Sequence, residues 1–202
     1  MDSSGYEQSI ATLALIVVTV ALSIAAFASE GLWRFLALEP YRMVRTHQYH
    51  PVVTAGLIHG DLAHLFVNML TLFIFGPALE STVDGPLFVT IYLVSLVFGN
   101  LYPLLKYRNQ PEYIAIGASG AVAGVLFSYC LFYPLQRIYV MMLIPMPAFL
   151  FAILYVAYSI YSMRNRRDNI GHEAHLAGGL AGVATTIVAV PGVIEHLWGM
   201  FG

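Results

Sequence analysis

Few side chains in this sequence can do covalent chemistry, and Ser119 stands apart among them. It lies in Ile116-Gly117-Ala118-Ser119-Gly120-Ala121, a small-residue run that opens a long apolar segment. Gly117 and Gly120 leave the backbone approachable and the hydroxyl uncrowded. No charged residue falls between Glu112 and Arg137, so this serine belongs in or near a hydrocarbon layer. A serine becomes a nucleophile only when a base and an oxyanion-stabilising site can reach it. Candidates for both are present: His59, Asp61, His64 and Asn68 open one apolar stretch, and His172, Glu173 and His175 open the last one. A charge at the centre of a span costs roughly 2.5–3.5 kcal/mol, so polar groups retained there are functional suspects.

His64 and Asn68 are four residues apart and share one helix face. Both donate hydrogen bonds while uncharged, which suits a developing oxyanion. The same pair also serves as an ordinary interhelical hydrogen-bonding pair, the commoner role for such residues in membrane bundles. His175 precedes Gly178 by one turn, and Gly178 with Gly182 forms a small-xxx-small pair; Gly120 and Gly124 form another beside Ser119. Such stripes let backbones approach closely. If these two pack together, the imidazole meets the hydroxyl as a serine–histidine dyad, with the histidine taking the serine proton. Plain tight packing explains the stripes equally well.

Two other chemistries fit less well. The zinc-protease helix needs histidines four apart with a glutamate after the first, whereas His172 and His175 are three apart. His59 and His64 are five apart, a poor spacing for one face, and no cysteine ligand is at hand. A third, acidic member of a triad is also missing: Glu173 points away from His175 on a helix, and Asp61 is placed to cap the helix carrying His64.

The elements that must position these groups are membrane spans. The chain is 59% hydrophobic and 10% charged with a mean hydropathy of +0.75, against roughly 25% charge in soluble domains. There is no basic patch of the kind nucleic acid requires. The single cysteine, Cys130, excludes an intrachain disulfide. Residues 1–9 carry no Lys or Arg, which argues for a retained first span rather than a cleaved signal peptide. With about 20 apolar residues needed per crossing, the reading is an all-α bundle of six transmembrane helices in one domain, at 10–27, 55–79, 86–105, 115–135, 139–161 and 172–192. An extension of the last as far as Trp198 is the alternative. Residues 29–54 are too polar to span and suit an interfacial loop. Loops after the first, third and fifth spans hold Arg34, Arg42, Arg45, Lys106, Arg108, Arg164, Arg166 and Arg167, against Arg137 alone on the other side. Positive charge on the cytoplasmic side would put both termini outside.

Taken together, these residues resemble the rhomboid intramembrane serine proteases in the basic six-span form, across essentially the whole chain. The serine motif is Gly117-Ala118-Ser119-Gly120; the second span carries His59-x4-His64-x3-Asn68; the sixth carries Ala174-His175-x-x-Gly178 followed by Gly182; and Gly76-Pro-Ala-Leu-Glu80 is similar to the family's Gly-x-x-x-Glu. Each motif is short, but their order on the second, fourth and sixth spans is specific.

The resemblance implies Ser119 as nucleophile and His175 as general base. It implies His64, Asn68 and the Ser119 N–H as oxyanion donors, and a structural part for His59, Gly117, Gly120, Gly178, Gly182 and Glu80. It implies cleavage of single-pass transmembrane substrates in or near the bilayer without metal or cofactor. It also implies a prokaryotic plasma membrane with cytoplasmic termini, against the charge count, and lateral entry beside the second and fifth spans, gated by bulky Leu150, Phe151, Leu154 and Tyr155. The chain departs from the family twice. Tyr49-His50-Pro51 stands where many members carry Trp-Arg. Ala123 stands where many carry a tyrosine against the catalytic histidine, so His175 must be held another way. A catalytically inactive relative that escorts transmembrane helices is the alternative, and a small transporter fits less well, having no repeat and few intramembrane charges.

Overall fold

A computed structural model describes residues 9–140, 143–165 and 171–201. The N-terminal residues 1–8, the loop charges Arg166, Arg167 and Asp168, and the Arg164 side chain lie outside the described residues. In order, the chain forms α1 (Ile10–Phe27), α2 (Glu30–Leu36), α3 (Pro40–Thr46), α4 (Pro51–Thr54), a 3-10 turn (Ala55–Leu57), α5 (Leu62–Val83) and α6 (Gly85–Lys106). Then follow α7 (Ser119–Phe132), an antiparallel hairpin of β1 (Arg137–Val140) and β2 (Ile144–Pro147), α8 (Ala148–Asn165), α9 (His172–Ala189) and α10 (Val193–Gly199).

The solvent this fold is built for can be read from α1. Its buried side chains include Thr12, Thr19 and Ser23, while Ile10, Val17, Val18 and Ile24 face outward. A helix that turns hydroxyls inward and branched aliphatics outward is matched to lipid, where small polar residues cement the interior. By length and composition α1, α5 and α6 can each cross a membrane, and α9 with α10 makes a fourth candidate across a bend of 102°. The protein is an integral membrane, all-α helical bundle.

Several boundaries differ from the sequence reading, each for a local reason. The second span starts at Leu62 rather than residue 55, because Asp61 accepts the His64 N–H at 2.8 Å and sets the helix N-terminus. The fourth is shorter, from Ser119 to Phe132 rather than 115–135. The fifth begins at Ala148 rather than 139, since Pro145 and Pro147 cannot sit inside a helix and the segment pairs as a hairpin instead. The sixth does not run straight on to Trp198: Pro191 and Gly192, the latter at φ 88°, turn the chain. The expected interfacial loop is three short helices, α2 to α4.

At the centre, α6, α7 and α9 pack on one another. Eleven consecutive residues of α7, Gly120–Cys130, are buried, as expected of a helix that is apolar all round. Docking of α1 follows from the Gly76/Glu80 pair. A Cβ at Gly76 would lie 2.7 Å from Thr12 Cγ2, so glycine permits the approach. Glu80, only 4% exposed, accepts the Ala11 and Thr12 N–H groups at 2.9 and 2.8 Å and the Thr12 hydroxyl at 2.7 Å. It thus caps α1 from a neighbouring helix, where Ser9 makes no side-chain cap.

Candidate functional site

Ser119 is the first residue of α7, so its N–H has no acceptor within the helix. The chain leading to it is pinned one amide at a time. Ala115 pairs with Leu38 in an isolated bridge, Gly117 N–H donates to Ala55 O at 2.9 Å, and Ala118 N–H donates to His59 Nε2 at 3.3 Å. Because Nε2 accepts there, Nδ1 of the neutral His59 carries the proton and donates to Ser23 Oγ at 3.0 Å; Ser23 in turn donates to Leu57 O. His59, completely buried, therefore ties α1 to the segment that presents Ser119.

His64 lies over the same segment. Gly117 has φ 114°, and a Cβ there would stand 2.6 Å from His64 Cε1 and 2.8 Å from Nε2. Glycine is thus required twice, for the backbone conformation and for room under the imidazole. The His59 and His64 rings meet edge to face at 4.9 Å. Asn68, 6% exposed, donates one Nδ2 hydrogen to His64 O at 2.9 Å, leaving the second for another acceptor.

The two glycine stripes pack against each other. A Cβ at Gly178 would collide with the carbonyl group and Cα of Gly120, and one at Gly182 would lie 2.6 Å from Gly124 Cα. Gly99 on α6 completes the junction, a Cβ there falling 3.3 Å from Gly120 Cα. With α7 and α9 in backbone contact, His175 Nε2 stands 2.6 Å from Ser119 Oγ. Glu173 turns away, as expected, to Lys106 Nζ at 2.5 Å and the Tyr107 hydroxyl at 2.9 Å, fastening α9 to the end of α6. Burial holds the Tyr107 hydroxyl above the ordinary tyrosine range, so it stays a donor to that carboxylate.

One contact went unread in the sequence. Tyr155 Oη lies 2.8 Å from His175 Nδ1. This residue, expected at a gate, meets His175, while Leu150 and Leu154 on the same helix are exposed. No spacing rule links positions 155 and 175 on different helices, and the departure at Ala123 was the only signal that some such partner was needed.

The described ends of the chain lie opposite this site. The start of α1 is held at Glu80, near the end of α5, and His196 of α10 bonds to Phe132 O at the end of α7. The basic side chains Lys106 and Arg45, the latter bonded to Arg108 O, stand at the Ser119 end.

A rhomboid-domain family model matches residues 46–192. Among curated proteins, the chain is 34% identical over 110 residues to the putative rhomboid protease YdcA of Bacillus subtilis (54% of this chain, 53% of the relative). It is 27% identical over 180 residues to the mitochondrial Rhomboid protein 1 of Saccharomyces cerevisiae (84% and 51%). It is 30% identical over 191 residues to Rhomboid-like protease 3 of Toxoplasma gondii (90% and 60%). The chain spans about half the length of the curated relatives it matches. Proteases named as such stand among these relatives, and the family match covers His59, His64, Asn68, Glu80, Ser119 and His175. The chain belongs to the rhomboid family.

Proposed function

We propose that this protein is an active intramembrane serine endopeptidase that hydrolyses peptide bonds in transmembrane helices through Ser119 and His175. The observation that carries the reading is the 2.6 Å approach of Ser119 Oγ to His175 Nε2. Ser119 attacks the substrate carbonyl while Nε2 accepts its proton. The oxyanion is met by the Ser119 N–H, the His64 ring and the spare Asn68 hydrogen. His175 then protonates the departing amine, and water hydrolyses the acyl-enzyme by the same base. A substrate helix must unwind first, because its carbonyls are already hydrogen-bonded. Gly, Ala or Pro near the cut therefore marks single-pass substrates, Gly and Pro by weakening the helix and Ala by its small bulk.

The six-span arrangement goes with this reading, within one membrane domain. At 14 residues α7 extends about 21 Å, short of a hydrocarbon core of about 30 Å, so Ser119 sits below the surface while α7 ends near the opposite face. Cytoplasmic termini follow from the family, with the site near the outer face of a plasma membrane. The basic loops then sit outside, and the fixed order of helices overrides the charge bias. A C-terminal tag inaccessible to impermeant reagents in intact cells is the expected result.

The test is fluorophosphonate labelling of detergent-purified wild type, Ser119→Ala and His175→Ala, followed by cleavage of a single-span substrate in liposomes. Labelling and cleavage by wild type alone are expected. A folded wild type that neither labels nor cleaves would leave the helix-escorting reading in its place.

A further inference from the structure

A histidine acting on serine needs its ring held and its spare proton kept on the far nitrogen. Glu173, the nearest acid in sequence, is engaged with Lys106 and Tyr107, and position 123 is a buried alanine. What meets Nδ1 is Tyr155 Oη at 2.8 Å. We infer that Tyr155 is the positioning residue of His175 and that, because α8 delivers it, the base is in register only while α8 is docked. This rests on the protease reading.

The chemistry requires the contact in one sense. With Nδ1–H donating to Tyr155 Oη, Nε2 presents its lone pair to the Ser119 hydroxyl. The other tautomer turns an N–H toward Ser119 and is idle as a base. The imidazolium formed during attack keeps a partner at Nδ1 without any tyrosine ionisation. The tyrosine ring is itself fixed: Phe127 meets it edge to face at 5.5 Å, and Phe151, tilted by 38°, lies at 5.7 Å. Phe127 packs so closely on α9 that a Cβ at Gly179 would lie 2.7 Å from its ring.

Among the described side chains of α8, only Ala148, Ser159 and Ser162 are buried. Ile153, Leu154 and Tyr158 are exposed. Beside the helix an open groove of about 580 Å³ is lined by Phe127, Cys130, Val156, Leu180 and Val183 among others. A face left open in this way lets α8 shift without displacing α7 or α9. A shift carries Oη away from Nδ1 and frees the imidazole to rotate or change tautomer. Helix position and base competence are thereby one variable.

The experiment compares wild type, Tyr155→Phe, Val156→Ala and the double variant in liposomes. It reads the rate of Ser119 phosphonylation, kcat and KM on a single-span substrate, and the thermal midpoint. Tyr155→Phe keeps the ring and removes one hydrogen bond, so phosphonylation and kcat are expected to fall about tenfold with KM and midpoint unchanged. Val156→Ala removes groove-lining contacts of α8 and is expected to slow phosphonylation in the wild-type background but not further in Tyr155→Phe. Wild-type rates in Tyr155→Phe, or a loss that appears only with a lowered midpoint or a raised KM, would overturn the positioning role. Additive losses in the double variant would overturn the coupling to α8. If wild type itself is not labelled at Ser119, the protease reading fails instead.

Discussion

Gly178→Ala is the most demanding perturbation of this site, because it adds a single methyl group at the junction of α7 and α9. The added Cβ would overlap the Gly120 carbonyl oxygen and stand 2.7 Å from its carbon and 2.9 Å from its Cα. All three are backbone atoms of α7, so no side chain can swing aside. Carbon atoms rest about 3.5–4.0 Å apart, so the two helices must part by about 1 Å. Overpacking of this kind costs about 1–3 kcal/mol. The same displacement acts on the 2.6 Å contact between Ser119 and His175, which flank this junction. A misplacement of about 1 Å in a catalytic pair costs about a hundredfold in rate. The assay is the Ser119 phosphonylation rate with the thermal midpoint in detergent, beside Gly31→Ala, where no atom lies within 4 Å of the new Cβ. Gly178→Ala is expected to lose about two orders of magnitude in rate and several degrees in midpoint; Gly31→Ala should change neither. A Gly178→Ala protein that labels at the wild-type rate would refute the claim that backbone contact between α7 and α9 sets the dyad.

Glu80→Gln turns an amide NH2 toward donors that now bond to a carboxylate. The loss is about 1–3 kcal/mol, read as a lower thermal midpoint, with Ser119 labelling of the folded fraction unchanged because α1 starts at the far end from the site. Glu173→Gln breaks the pair with Lys106, whose side chain is 42% exposed against 15% for Glu173, and keeps an amide oxygen for the Tyr107 hydroxyl. Exposed ion pairs contribute about 0–1 kcal/mol, so the midpoint should move by no more than a degree or two and the labelling rate hardly at all. A large rate loss would mean that this pair orients His175.

The polar residues of the proposed site were legible in the sequence because a membrane makes each of them expensive. Ser119, His175, His64 and Asn68 stand out against apolar runs, and the glycine spacing on either side of the dyad already offers the contact that α7 and α9 make. Composition settled the solvent, and α1 answers with hydroxyls inside and aliphatics outside. Three things depended on tertiary structure. Span ends were displaced where single residues act locally, as Asp61 does by capping α5 and the prolines by forcing the hairpin before α8. Glu80 became a helix cap only once α1 and α5 were side by side, a distance of 68 residues in sequence for Thr12. Tyr155 reached His175 because the hairpin and the Phe127 contact set the rotation of α8, which the order of its residues does not fix by itself. The sequence determined which groups are present and on which helix faces. Which faces meet was decided by close packing, a property of pairs of surfaces that no single segment carries.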